Sequence, residues 1–190
     1  MDGMVNTTEQ RRKIHPQKFA LWVAMSSIIM MFAGLTSAYI VRKAQGNWVF
    51  YQLPVVFWVS TVVILASSVT MFTGVKAFKS RKMIQFRWLM GSTLLLGILF
   101  GVLQYVGFTQ LYGSNIRVDG NPSESFLFII TGLHLLHILG GIIALLIVFF
   151  RAFRTRVKIY NATGLEIVAS YWHFVDVLWF YLFVFFLANQ

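Results

Sequence analysis

Five long runs of apolar residues, separated by short polar segments, dominate the pattern of the chain. Each run is near or above the roughly 20 residues that a helix needs to cross the hydrocarbon core of a bilayer. The runs cover residues 19–41, 54–75, 88–111, 125–150 and 165–188. Because the connections are short, neighbouring helices should be antiparallel. The pattern predicts an all-α, polytopic membrane protein: one bundle of five transmembrane helices over residues 18–190, preceded by a polar segment over residues 1–17.

Composition supports this prediction. The chain is 58% hydrophobic and 12% charged, whereas soluble domains are about 45–50% apolar and about 25% charged. A net charge of +10 would also suit nucleic-acid binding, but that requires a basic patch or stripe. Here the basic residues lie in short loops between apolar runs, so no nucleic-acid partner is predicted. The absence of cysteine excludes disulfides, thiolate metal sites and iron–sulfur clusters.

Lysine and arginine are distributed unequally between the two sides of the predicted bundle. Thirteen of the sixteen fall before the first run, Lys18 included, and in the second and fourth connections. An excess of Lys and Arg in short loops marks the cytoplasmic side. We therefore expect a cytoplasmic N-terminus and a C-terminus on the opposite, periplasmic side. Four tryptophans lie near predicted helix ends, as interfacial anchors do: Trp22, Trp48, Trp58 and Trp88.

Polar residues near two helix starts fit known turn and capping patterns. In the third connection, residues 119–122 read Asp-Gly-Asn-Pro, which predicts a turn, and Ser123 or Ser125 is the expected cap of the fourth helix. Thr163 is followed three residues later by Glu166, which is the spacing of a capping box. We expect this box to begin the fifth helix.

Ionisable residues inside two of the spans are the candidate functional residues, because a charge within a bilayer is costly. The fourth helix carries His134 and His137, and the fifth carries Glu166, His173 and Asp176. A rise of 1.5 Å per residue puts Glu166 near the predicted cytoplasmic surface, His173 roughly 10 Å deep and Asp176 roughly 15 Å deep. If the two helices pack together, the five side chains form a staggered polar strip across the bilayer. His173 and Asp176 would then meet the fourth helix near His137.

Four interpretations of this strip remain open at the level of the residues. The strip could hydrogen-bond helices together, hold a metal or a haem through its histidines, relay protons, or face lipid headgroups or a partner subunit. A lone His-x-x-His is weak support for a metal. The relay lacks ionisable groups to continue it in the second and third helices, which offer mostly hydroxyls and one amide: Ser67, Ser68, Thr70, Ser92, Thr93 and Gln104.

Small residues and missing motifs add two expectations. Gly132, Gly140 and Gly141 would let another helix approach the fourth helix closely, as small residues do in membranes. The chain has no phosphate-binding glycine loop and no nucleophile elbow. Soluble-enzyme chemistry is therefore not predicted.

Two of these helices carry the motifs of a known family. The fourth contains TGLHLLHILGGI (residues 131–142), which resembles the T-G-x-H-x-x-H-x-x-x-G helix of cytochrome c oxidase subunit III. The fifth contains EIVASYWHFVDVLWF (residues 166–180), which is similar to the last-helix signature of that family, with Tyr171 and Trp172 in place. The similarity covers nearly the whole chain from Lys18 and matches the five-helix bacterial form of the family.

The resemblance implies a function in aerobic respiratory electron transport. The chain would be the non-redox accessory subunit III of a proton-pumping haem–copper terminal oxidase, which reduces O2 to water in the bacterial inner membrane. It would bind no haem, copper or other metal, since the resemblance places these in partner subunits I and II. It would pack on subunit I, bind phospholipid, and support proton uptake, O2 access and stability in turnover. Two alternatives are an accessory subunit of a nitric oxide reductase and, in a different class, a small proton-conducting membrane protein.

The sequence also departs from the family pattern in two ways. The mitochondrial form has seven helices, with a lipid-filled cleft between the first two and the rest, and this chain matches only the last five. One wall of that cleft would then come from another subunit. Many members also carry a buried glutamate directly after a serine in the first of these five helices, and the matching position here is Ile28, after Ser27. No role that depends on that carboxylate is expected of this chain.

Overall fold

The computed structural model describes residues 16–46, 48, 52–113, 121–154 and 163–189. These residues form five α-helices and no strand, which confirms the predicted all-α class. The helices are α1 (Pro16–Ala44), α2 (Val55–Lys79), α3 (Met83–Gly113), α4 (Pro122–Arg154) and α5 (Thr163–Asn189). Each is long and apolar enough to cross a membrane.

The predicted number of five spans is confirmed, and each helix overlaps its apolar run but is longer than it. α3, for example, begins at Met83, five residues before the run that predicted it. Its first turns include Gln85 and Arg87, polar residues that favour helix and can sit at the membrane surface. Most of the predicted polar segment 1–17 lies outside the described residues, and its last two residues begin α1.

The cap of α4 is Asn121 rather than either predicted serine. The Asn121 side-chain oxygen accepts a hydrogen bond from the Ser123 backbone N–H (3.2 Å), and the Glu124 carboxylate accepts one from the Asn121 backbone N–H (3.4 Å). These two bonds form a capping box. Proline has no N–H to satisfy and suits the first helical position, so Pro122 makes the preceding asparagine the cap. The residues 119–120 of the predicted turn lie outside the described residues.

The helices do not all contact one another. α2 and α3 form a hairpin that packs along its length, and α5 contacts α1, α2 and α4. α1 packs only on α4 and α5 among the described helices. Two buried polar pairs join the hairpin: Gln104 Nε2 donates to Ser60 Oγ (2.9 Å), and the hydroxyls of Thr70 and Thr93 are 2.8 Å apart.

Basic side chains gather at one end of the bundle. Lys18 at the start of α1 and Lys79 at the end of α2 both bind Glu166 near the start of α5, each at 2.8 Å. At the same end, Arg87 of α3 donates to the Ala152 carbonyl of α4 (3.2 Å). We call this the basic end of the bundle. It is the end that the charge distribution predicts to be cytoplasmic.

Candidate functional site

Trp172 of α5 lies at the centre of the bundle and contacts three other helices. Its side chain is fully buried, and its Nε1 donates to the Ser67 hydroxyl of α2 (3.0 Å). Its ring occupies the space beside Gly97 of α3 and Gly141 of α4. A Cβ at these positions would lie 2.7 Å and 3.0 Å from ring atoms, closer than ordinary van der Waals contact. The two glycines therefore allow α5 to pack against both helices.

The predicted close approach of another helix to α4 is found at Gly141 but not at Gly132 or Gly140. A Cβ at Gly132 would meet nothing within 4 Å, and one at Gly140 would reach only the Tyr171 hydroxyl oxygen, at 3.8 Å. Gly97 was not predicted. Gly97 is an isolated glycine in an apolar run. That pattern does not indicate which neighbouring side chain will occupy the space beside the glycine.

Trp179, two turns after Trp172, makes a similar set of contacts. Its Nε1 donates to the Thr61 hydroxyl of α2 (3.0 Å). Its ring stacks on the imidazole of His134 at a centroid distance of 5.2 Å. His134 is fully buried, and neither of its ring nitrogens has a hydrogen-bond partner among the described residues. Phe32 and Phe100 complete the aromatic surroundings, so His134 is packed as part of the aromatic core.

His137 lies toward α1 and is satisfied largely within its own helix. Its Nδ1 donates to the Leu133 carbonyl (2.7 Å), and its ring makes an edge contact with Phe32. The Tyr171 hydroxyl of α5 donates to the His137 backbone carbonyl (3.0 Å). Tyr171 therefore contacts α4 here, where the sequence analysis expected His173 and Asp176.

His173 and Asp176 lie next to α2. His173 Nδ1 and the Ser68 hydroxyl are hydrogen-bonded at 2.6 Å. Asp176 is 1% exposed, and neither carboxylate oxygen has a partner with good hydrogen-bond geometry in the described part of the chain. The Ser68 hydroxyl lies on the side of α2 that faces Asp176.

The predicted strip is therefore divided between two interfaces. Within the described residues, no hydrogen bond joins His173 or Asp176 to either histidine of α4. The expectation that they meet near His137 is wrong, because α5 packs on three helices at once and turns these side chains toward α2. In the sequence, Ser68 is only one of several hydroxyls in the second and third helices.

Glu166 joins three helices at the basic end. Its two carboxylate oxygens bind Lys18 of α1 and Lys79 of α2. The predicted capping box with Thr163 stays a prediction, although α5 does begin at that residue. Beside the ion pairs, a cleft of about 380 Å³ opens between α1, α2 and α5. Its lining combines these charges with aromatic rings and one imidazole: Lys18, Glu166, Trp22, Phe72 and His173.

Ile28, the position that the family resemblance matches to a buried glutamate, has apolar surroundings. It packs against the core from α1, one helical turn before Phe32, which contacts both His134 and His137. The described residues contain no group of three or more His, Cys, Asp or Glu side chains that could hold a metal ion.

The fold and these contacts define a multi-pass membrane protein whose buried polar side chains link its own helices. The family model for cytochrome c oxidase subunit III matches residues 50–188. The chain therefore belongs to the cytochrome c oxidase subunit III family, as the two helix motifs indicated.

Named relatives agree with the family model. Cytochrome c oxidase subunit 3 of Corynebacterium diphtheriae is 33% identical over 169 residues, which cover 85% of this chain and 82% of that protein. The Bacillus sp. (strain PS3) protein of that name is 26% identical over 167 residues, covering 85% and 80%. The Aedes aegypti protein is 33% identical over 134 residues, covering 70% of this chain and 49% of the longer relative. The chain is thus an accessory subunit of a haem–copper oxidase complex.

Proposed function

We propose that this chain packs on subunit I of a proton-pumping oxidase, with subunit II and membrane phospholipid as further partners. It lies in the cytoplasmic membrane of a bacterium with its basic end toward the cytoplasm. Family membership supports the complex, and the gathering of Lys and Arg at one end supports the orientation. The haem and copper centres belong to the partner subunits, and this chain binds neither.

One observation carries the accessory role: Glu166 and three ring nitrogens of α5 are bound to side chains of neighbouring helices. Trp172, Trp179 and His173 hydrogen-bond to three hydroxyls of α2, and Glu166 links α1 and α2. Interhelical hydrogen bonds in membranes contribute about 0.6 kcal/mol each on average. Several together hold a fixed helix arrangement. The five candidate residues His134, His137, Glu166, His173 and Asp176 accordingly maintain packing and the shape of the partner and lipid surfaces.

Support for turnover follows from this rigidity. A bundle that keeps its shape keeps subunit I and its lipids in place during repeated catalysis, and it preserves routes for proton uptake and O2 entry. The cleft at the basic end provides apolar walls and charged groups suited to a phospholipid.

The test is the composition of the native complex. A tagged chain purified in mild detergent should bring subunits I and II with it, and the haem spectrum should belong to the complex. The isolated chain should show no haem Soret band and no stoichiometric metal. A haem or copper bound by the isolated chain would contradict the proposal, and a nitric oxide reductase as the co-purifying catalytic subunit would assign the chain to a different complex.

A second measurement addresses the proton-conducting alternative. The chain alone, reconstituted in liposomes, should give no proton flux. A flux abolished by Asp176→Asn would contradict the accessory role, since a channel needs no partner subunit.

A further inference from the structure

A second, larger groove opens between α3 and α4 at the basic end of the bundle. Its volume is about 720 Å³. α3 contributes one residue or more from each successive turn, including Ile84, Trp88, Gly91 and Leu95, and α4 contributes Phe149. These positions form a stripe along one side of α3. Gly91 has no side chain to fill the groove. A Cβ there would already be in van der Waals contact with Phe149 Cε2, at 3.5 Å.

The mouth of this groove is positively charged. Arg87 is the charged residue of its lining, and the bond from its Nε to the Ala152 carbonyl holds the guanidinium between α3 and α4. Arg151 of α4 and Lys82 just before α3 are exposed at the same end. Trp88, beside Arg87, is 77% exposed, as expected of a ring at the level of the lipid headgroups.

An occupant must satisfy both the apolar floor and the cationic mouth. A small soluble anion would not cover the apolar floor. A purely apolar helix would offer no negative charge to match the cationic mouth. A phospholipid with an anionic headgroup fits both parts, because basic pockets between transmembrane helices on the cytoplasmic side bind such headgroups.

We infer that this groove is a binding site for an anionic phospholipid, with its phosphate at Arg87 and one acyl chain along α3 over Gly91. The inference rests on the proposed function for the presence of lipid and for the orientation. It adds the position of a site, distinct from the cleft between α1, α2 and α5, and the class of lipid bound.

The test uses the whole oxidase complex in vesicles of phosphatidylcholine that contain a trace of photoactivatable lipid. The probe carries a diazirine on its acyl chain and has either a phosphatidylglycerol or a phosphatidylcholine headgroup. Cross-linked peptides are identified by mass spectrometry. We expect the segment 84–96 to be labelled about fivefold more by the phosphatidylglycerol probe, since one arginine near a membrane surface favours anionic lipid by that factor.

Four variants separate charge from shape. Arg87→Gln should reduce phosphatidylglycerol labelling to the phosphatidylcholine level, whereas Arg87→Lys should retain most of it. Gly91→Leu should lower labelling by both probes by filling the groove. Two matched controls should leave labelling unchanged: Arg42→Gln, an exposed arginine at the opposite end of the bundle, and Gly101→Leu, at an α3 glycine where a Cβ would meet nothing within 4 Å.

Three results would overturn the inference. They are equal labelling by the two probes, labelling that Gly91→Leu does not change, and no labelling of the segment 84–96 by either probe, which would show that lipid does not enter the groove. The subunit list of each purified complex is recorded in the same experiment. Failure of the lipid site in an intact complex is thereby distinguished from failure of the accessory role.

Discussion

α5 and α1 are both apolar enough to cross a membrane, yet they are held in the bundle very differently. Of the most apolar 18 residues of each helix, 44% are buried in α5 and 17% in α1. The backbone of α5 lies against α1, α2 and α4, and Trp172 also reaches α3, whereas α1 lies against α4 and α5. Lys18, Thr36 and Lys43 of α1 make polar contacts with α5.

The difference shows where polar residues contribute most to the stability of a membrane bundle. In α5 the two buried tryptophans Trp172 and Trp179 bond to hydroxyls of α2, so their loss leaves unpaired atoms and cavities. In α1 they lie mainly near the helix ends, where water can replace a lost partner. Mutations of similar chemistry should therefore have large effects in and around α5 and small effects at the attachment of α1.

The largest effect is expected from removing the tryptophan at the centre of α5. Trp172→Ala deletes a fully buried ring and the bond to Ser67, and aromatic-to-alanine changes in packed interiors cost about 3–5 kcal/mol. Thermal denaturation of the purified complex should show a marked loss of stability of this subunit, or the subunit should be absent. Trp88→Ala is the control, because Trp88 is 77% exposed. Equal effects of the two changes would contradict the central position of Trp172.

A smaller effect is expected from adding one methyl group beside the same ring. Gly97→Ala would place a Cβ 2.7 Å from Trp172 Cη2, and overpacking of this kind costs about 1–3 kcal/mol. The matched control is Gly101→Ala, one turn further along α3, where a Cβ meets nothing within 4 Å. In the same denaturation assay, Gly97→Ala should be less stable than wild type, and Gly101→Ala should be as stable as wild type. If Gly101→Ala is the more harmful change, the packing of α5 against α3 is wrong.

The smallest effect is expected at the attachment of α1. Glu166→Gln weakens both ion pairs of a partly exposed carboxylate, and such pairs are worth below about 1 kcal/mol each. The chain lacks cysteine, so spin labels can be placed at Ala20→Cys on α1 and Thr73→Cys on α2 without background. Their distance distribution should broaden toward longer values in the Glu166→Gln complex, with little change in overall stability.

A second label pair serves as the control for this distance. Thr73→Cys and Trp88→Cys report on the tightly packed α2–α3 hairpin, and their separation should not respond to Glu166→Gln. An unchanged α1–α2 distance would mean that the other contacts of α1 with α4 and α5 fix its position without these ion pairs.

The sequence predicted the spans well because a continuous apolar run of this length has few other structures available to it. The cap of α4 was also present in the sequence, since Asn121 and Glu124 have capping-box spacing. The prediction chose Ser123 or Ser125 because serine is also a common capping residue.

The partners of the buried polar residues could not be predicted in the same way. Because apolar residues lie all around α5, hydropathy does not specify which face of this helix meets which neighbour. Pairs such as His173 with Ser68, or Trp172 with Gly97, depend on that rotation. Each involves residues more than 70 positions apart, and both Ser68 and Gly97 resemble ordinary packing residues of a transmembrane helix.

The central claim is that the ionisable side chains of α5 hold the complex together and take no part in its chemistry. The most direct test is to follow oxygen consumption by the assembled oxidase carrying His173→Ala or Asp176→Ala, from the first turnovers until activity is lost. The account predicts a near-normal initial rate and a shortened working life, or weaker retention of this subunit. Immediate loss of oxygen reduction in a fully assembled complex would contradict it.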